Sequence, residues 1–216
     1  EELFMTIGVV DECQIKGVDL STSIDFFTKM LDSNGTYGDS LLNNGIAASA
    51  LMRAGAAIPN RDAVIQLLLN GQKSDGGFGD GEHSDLWTSY CVMRALRLFD
   101  VQPNIEPLSS WLLGMKKESG GFSLTDSTAS AGETYQVLSI LNWISEPVIT
   151  AAKVGDLTVI TNFLKNGGDP NISDIRGWTP LLSAAVRGNS EVIGALTSNE
   201  YGGDPSNVSK RLSSVD

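Results

Sequence analysis

Apolar positions at helical spacing recur along the first two-thirds of the chain. Ile24, Phe27 and Leu31 share one helical face, as do Leu108, Trp111, Leu112 and Met115. Between them Val64, Ile65, Leu67, Leu68 and Leu69 form a denser run behind Asn60. Ser21-Thr22-Ser23, Asn60 and Pro107 supply helix-start signals for the three segments. Each segment ends in a glycine turn carrying an aromatic: Gly35-Thr36-Tyr37-Gly38, Gly76-Gly77-Phe78-Gly79 and Gly120-Gly121-Phe122-Ser123. The aromatics stand 41 and 44 residues apart, a period that indicates stacked supersecondary units. Behind the turns come helices of a second kind. Residues 85–99 and 134–141 are apolar nearly all round, and they align at an offset of 45 through Tyr90/Tyr135, Val92/Val137 and Leu96/Leu141. Ala50 and Leu51 fit the same register against Ala95 and Leu96. A helix apolar on every side is packed on every side, so amphipathic outer helices are expected to alternate with enclosed inner ones.

The paired glycines let the chain reverse without a Cβ penalty, and the aromatic behind them inserts between hairpins. The run Leu67 to Gly79, with Gln72 six residues before Phe78, and the following Ser84-Asp85-Leu86-Trp87-Thr88-Ser89-Tyr90 resemble the prenyltransferase and squalene-cyclase repeat. That resemblance implies an α/α toroid. It covers residues 21–146 as three hairpins, where complete toroids use five to seven. Leu31 and Lys116 replace the glutamine in the other two copies. Residues 1–20 are expected to be an N-terminal lead-in.

From residue 147 to 216 the pattern changes. Asp174-Ile175-Arg176-Gly177-Trp178-Thr179-Pro180-Leu181-Leu182-Ser183-Ala184-Ala185-Val186-Arg187-Gly188-Asn189 resembles an ankyrin repeat, with Leu182 where that family usually has histidine. A shift of 33 residues sets Pro147, Ala151, Ala152 and Gly155 against Pro180, Ala184, Ala185 and Gly188. Gly168-Asp169-Pro170-Asn171 closes the first copy, Gly203-Asp204-Pro205-Ser206 the second, and a third is expected to begin at Asn207. The expected fold class is all-α: a partial α/α toroid of helical hairpins with a short ankyrin-repeat stack at the C-terminus.

A formal charge of −11 disfavours nucleic acid as a partner. No continuous apolar run approaches the roughly 18 residues that read as a membrane span. Cys13 and Cys91 form no spacing motif. The chain opens on Glu1-Glu2-Leu3 without a basic-plus-apolar leader, which favours a soluble, cytoplasmic protein cut from a longer or processed polypeptide.

Candidate chemistry is sparse. The prenyltransferase resemblance implies zinc held by Asp, Cys and His, but His83 is the single histidine, and Asp85 and Cys91 lie six residues apart, off helical ligand spacing. The cyclase resemblance implies an Asp-x-Asp-Asp acid, for which Asp80-Gly81-Glu82-His83-Ser84-Asp85 is the nearest cluster. Asp75, Asp80, Glu82 and Asp85 miss the spacing of a calcium loop. No catalytic residue, metal or cofactor is therefore assigned. Trp87, Tyr90, Tyr135 and Trp143 are candidates to line an apolar cavity, with core packing as the competing reading. The ankyrin resemblance implies a protein-binding face, with Asp174, Arg176, Trp178 and Arg187 as its contacts. The leading expectation is a non-catalytic interaction or scaffold module with a protein partner and room for self-association. The alternative is an isoprenoid-binding enzyme or enzyme fragment.

Overall fold

The computed structural model describes residues 2–198 apart from 126, 127, 175 and the side chain of Leu3. Among these residues all regular structure is helical, apart from two isolated bridges, Gln72 to Phe78 and Lys116 to Phe122. The expected closing turn at Gly203-Asp204-Pro205-Ser206 and the copy beginning at Asn207 lie outside the described residues.

The chain divides into two compact units, residues 1–103 and 104–216. In the first, α1 (Glu2–Glu12), α2 (Ser21–Lys29), α3 (Leu41–Arg53), α4 (Arg61–Asn70) and α5 (Leu86–Phe99) follow in order. Helices α3 and α5 pack directly on each other, with α4 against both and α2 against α3. The approach is close because α3 carries Gly45, where a Cβ would stand 2.8 Å from the Cys91 carbonyl carbon. The enclosure expected of the second inner helix is present: Tyr90, Cys91, Val92, Met93, Ala95, Leu96 and Phe99 are all buried.

The turns share one hydrogen-bond plan. Asp32, Lys73 and Lys117 each donate a backbone N–H to the carbonyl four residues on, at Thr36, Gly77 and Gly121. Gly35, Gly76 and Gly120 take φ of +81°, +99° and +95°, the left-handed region that favours glycine. The aromatic's own N–H is then accepted by a side chain of the next helix: Asn44 Oδ1 at 3.0 Å, Ser89 Oγ at 2.9 Å and Thr134 Oγ1 at 2.9 Å. These acceptors lie 45 residues apart, as do the helix caps Ser40, Asp85 and Ser130. Asn60 does not cap α4. Its side-chain amide donates instead to the Asn34 carbonyl in the first turn.

Tyr37 departs from its two phenylalanine counterparts. Its hydroxyl is buried and has no hydrogen-bond partner, and burial raises its pKa. Tyr37→Phe is therefore expected to stabilise the protein by about 1 kcal/mol, since an unmet buried polar group is removed. The unfolded chain ionises first as pH passes about 10, so wild-type stability falls there and the variant lacks that loss. Urea titrations at pH 8 and pH 10.5 check both; equal stability of the two proteins at both pH values would refute the expectation.

The second unit holds α6 (Ile105–Gly114), α7 (Ala131–Val154), α8 (Leu157–Lys165), α9 (Pro180–Arg187) and α10 (Ser190–Leu196). The expected boundary between residues 146 and 147 falls inside α7, which runs 24 residues with Pro147 in its interior. Interior proline costs about 3 kcal/mol in a helix. Here the buried stripe Val137, Ile140, Ile144, Val148, Ala151 and Ala152 runs past it without a break. Pro180 differs because Thr179 ahead of it is extended and caps α9 by accepting from the Leu182 N–H. The expected all-round burial of 134–141 also fails: Tyr135 is 56% and Leu138 36% exposed.

Among the described residues α7 alone has the length and composition to cross a bilayer. Its mean hydropathy over 18 residues is 1.2, and 39% of that window is buried inside the protein. It serves as a core helix, packing on α6, α8 and α9. The 33-residue register is visible in its second half. Gly155 and Gly188 end α7 and α9 with φ of +85° and +72°, and α8 and α10 follow them. Asn189 donates to the Ala152 and Lys153 carbonyls at 2.8 and 3.1 Å, joining one helix pair to the next.

Candidate functional site

Two surfaces compete for function, one in each unit. In the first, Trp87 and Tyr90 do come together, with rings stacked 5.7 Å apart on α5. The lead-in is a helix and packs against them. Phe4 and Ile7 of α1 are each 1% exposed, and Phe4 meets Trp87 edge-on at 6.1 Å. The Arg94 guanidinium lies over Phe4 and Tyr90 at 5.3 and 5.1 Å. Arg53 and Arg94, whose side chains are 6% and 9% exposed, receive Asp11 and Glu12 from the end of α1 at 2.8–2.9 Å. Arg53 also donates to the Gly8 carbonyl at 2.8 Å. Burying a guanidinium demands both a charge partner and satisfied donors, and α1 supplies both. Tyr135 and Trp143 belong to the second unit, the first exposed and the second half-buried.

In the second unit, α7, α9 and the loop before α9 enclose a groove of about 320 Å³. It is lined by Ile149, Thr150 and Lys153 from α7, Arg176 and Trp178 from the loop, and Ser183, Val186 and Arg187 from α9. Three of the four residues expected to bind protein thus converge on one opening. Asp174, the fourth, sits beneath the loop and shapes it. Its buried carboxylate accepts from the Arg176 and Trp178 backbone N–H groups at 2.9 and 2.8 Å and pairs with the Arg176 guanidinium at 2.9 Å. Gly177, at φ +73°, lets the loop reverse there.

The sequence reasoning missed Thr150 and Lys153. The signal lay in the 33-residue register, which sets them against Ser183 and Val186. Applied to the groove lining as well as to the helix ends, the same offset finds both residues.

A family model of the prenyltransferase alpha-alpha toroid domain matches residues 5–167. The chain belongs to that family. No curated protein and no solved structure matches it. The toroid match starts inside α1 and ends just past α8, so it takes in the lead-in and the first helix pair of the 33-residue register.

The zinc chemistry implied for this toroid family does not fit the described residues. Asp85 is the N-cap of α5 and accepts from the Thr88 N–H at 2.7 Å. Cys91 is fully buried, and His83 is exposed. Among the described residues no three His, Cys, Asp or Glu side chains are grouped to hold a metal. The acidic cluster is likewise engaged in structure. Asp80 accepts from the Ser40 hydroxyl at 2.6 Å and from the Leu41 N–H at the start of α3, while Asp75 accepts from the Ser84 hydroxyl at 2.6 Å.

Proposed function

We propose that this toroid-family chain is a non-catalytic interaction module that holds a protein partner in the groove between α7, α9 and the 174–178 loop. The observation that carries this reading is the convergence of Arg176, Trp178 and Arg187, picked from the sequence alone, with Lys153 around one opening. The ankyrin resemblance of 174–189, with Thr-Pro starting a helix and Gly-Asn ending it, supports the same use. Aromatic and arginine side chains at a concave surface are the residue types that dominate protein interfaces.

The family itself supports the alternative, an isoprenoid-binding enzyme. Against it stand the α1 residues seated on Trp87 and the absence of a fitting acid or metal set among the described residues. Partner capture by the intact chain, by an Arg176→Ala, Trp178→Ala variant and by an off-groove Tyr135→Ala control separates the two. The double variant is expected to lose capture about tenfold or more with unchanged circular dichroism, and the control to keep it. Equal capture by all three, with a thermal shift on adding a prenyl diphosphate, would transfer the assignment to the alternative.

A further inference from the structure

We infer that the groove receives an acidic peptide segment carrying an apolar side chain, a deepening that rests on the interaction-module reading above. Between residues 104 and 216 there are eight Lys and Arg against twelve Asp and Glu, yet three of the eight cations, Lys153, Arg176 and Arg187, line this one opening. Among the described residues no carboxylate lines it; Asp174, beneath its loop, is already engaged by Arg176 and two backbone N–H groups. Lys153 and Arg187 form no ion pair among the described residues. Each ends a helix, where a cation complements the terminal carbonyls. That explains each on its own helix, but not their meeting with Arg176 at one mouth. Arg176 keeps 76% of its side chain exposed beyond its contact with Asp174.

Ser183 adds an independent observation. It lines the groove and is 4% exposed, and its hydroxyl makes no hydrogen bond to any described residue. As a lining hydroxyl with no partner among the described residues, it is open to solvent and to a group entering the groove. Beside it the wall is apolar: Ile149, the half-buried Trp178 and Val186, which is 59% exposed. Cations on three separate segments around an apolar wall suit carboxylates spaced along a chain with one hydrophobic side chain between them. A single small anion would leave that wall uncovered.

Fluorescence anisotropy with the full chain tests this, using three labelled twelve-residue peptides. One alternates glutamate with leucine, one replaces its glutamates by lysine, and one replaces its leucines by serine. The glutamate–leucine peptide is expected to bind, with affinity falling as salt rises. The Lys153→Glu, Arg187→Glu variant is expected to weaken it by about tenfold or more, and Trp178→Ala or loss of the leucines to weaken it severalfold. No binding of that peptide, or no effect of the charge reversal, overturns the inference. Preference for the lysine peptide with dependence on Trp178 overturns the acidic partner while leaving the module reading intact. Partner capture indifferent to Trp178 removes both. Tighter binding of a short DNA duplex or of phosphatidylserine vesicles, lost in the charge-reversed variant, would overturn a peptide as the occupant.

Discussion

Phe4→Ala is expected to destabilise the first unit by about 3–5 kcal/mol, the usual cost of emptying a buried aromatic site. The ring is 1% exposed, meets Trp87 edge-on and forms one face of the Arg94 sandwich. Its loss leaves a void between α1 and α5 and takes a partner from a guanidinium that water barely reaches. Met5→Ala on the same helix provides the contrast. Met5 is 50% exposed, and exposed sites away from special features change stability by about 0.5 kcal/mol or less. Urea unfolding followed by far-ultraviolet circular dichroism measures both. If the two variants unfold at the same urea concentration, α1 is not part of the core.

Phe78→Ala is expected to cost a similar 3–5 kcal/mol, or roughly 6–20 °C in melting temperature for a chain of this size. Phe78 is fully buried, and its backbone is held from both sides. Ser89 Oγ accepts its N–H and donates to its carbonyl, while the Asp85 N–H donates to the same carbonyl at 2.9 Å. With the backbone fixed in this way, neighbouring atoms cannot collapse into the vacated space, which favours the upper end of the range. A drop in melting temperature under 3 °C would mean that the turn relaxes and that the aromatic does not tie the hairpins together.

The hairpins were legible in the sequence because the turn chemistry is local. A glycine at positive φ and an aromatic two residues on leave a mark at each repeat, and so do the inner-helix stretches aligned 45 residues apart. The locking side chains were harder to see. Asn44, Ser89 and Thr134 do one job with three residue types, so only the register betrays them. The α1 helix left little local trace. Gly8 and Thr6 weaken its propensity, and it lacks a glycine or proline boundary. Its ion pairs are with Arg53 and Arg94, 41 to 82 residues away in sequence. Local patterning cannot report such contacts. In the groove, the loop residues were readable from the repeat signature. Lys153 was hidden because Pro147 marks a break that the helix does not make.

The unbroken α7 has a consequence for any lengthening or shortening of the chain. Val137, Ile140, Ile144, Val148, Ala151 and Ala152 are all buried along a single screw. Each added residue turns everything beyond it by about 100° and advances it about 1.5 Å. One insertion near Pro147 would swing Lys153 away from Arg187, whereas seven, nearly two full turns, would restore its heading within about 20°. The two halves of α7 are thus geared together. Their spacing can change only in steps that keep the thread in phase.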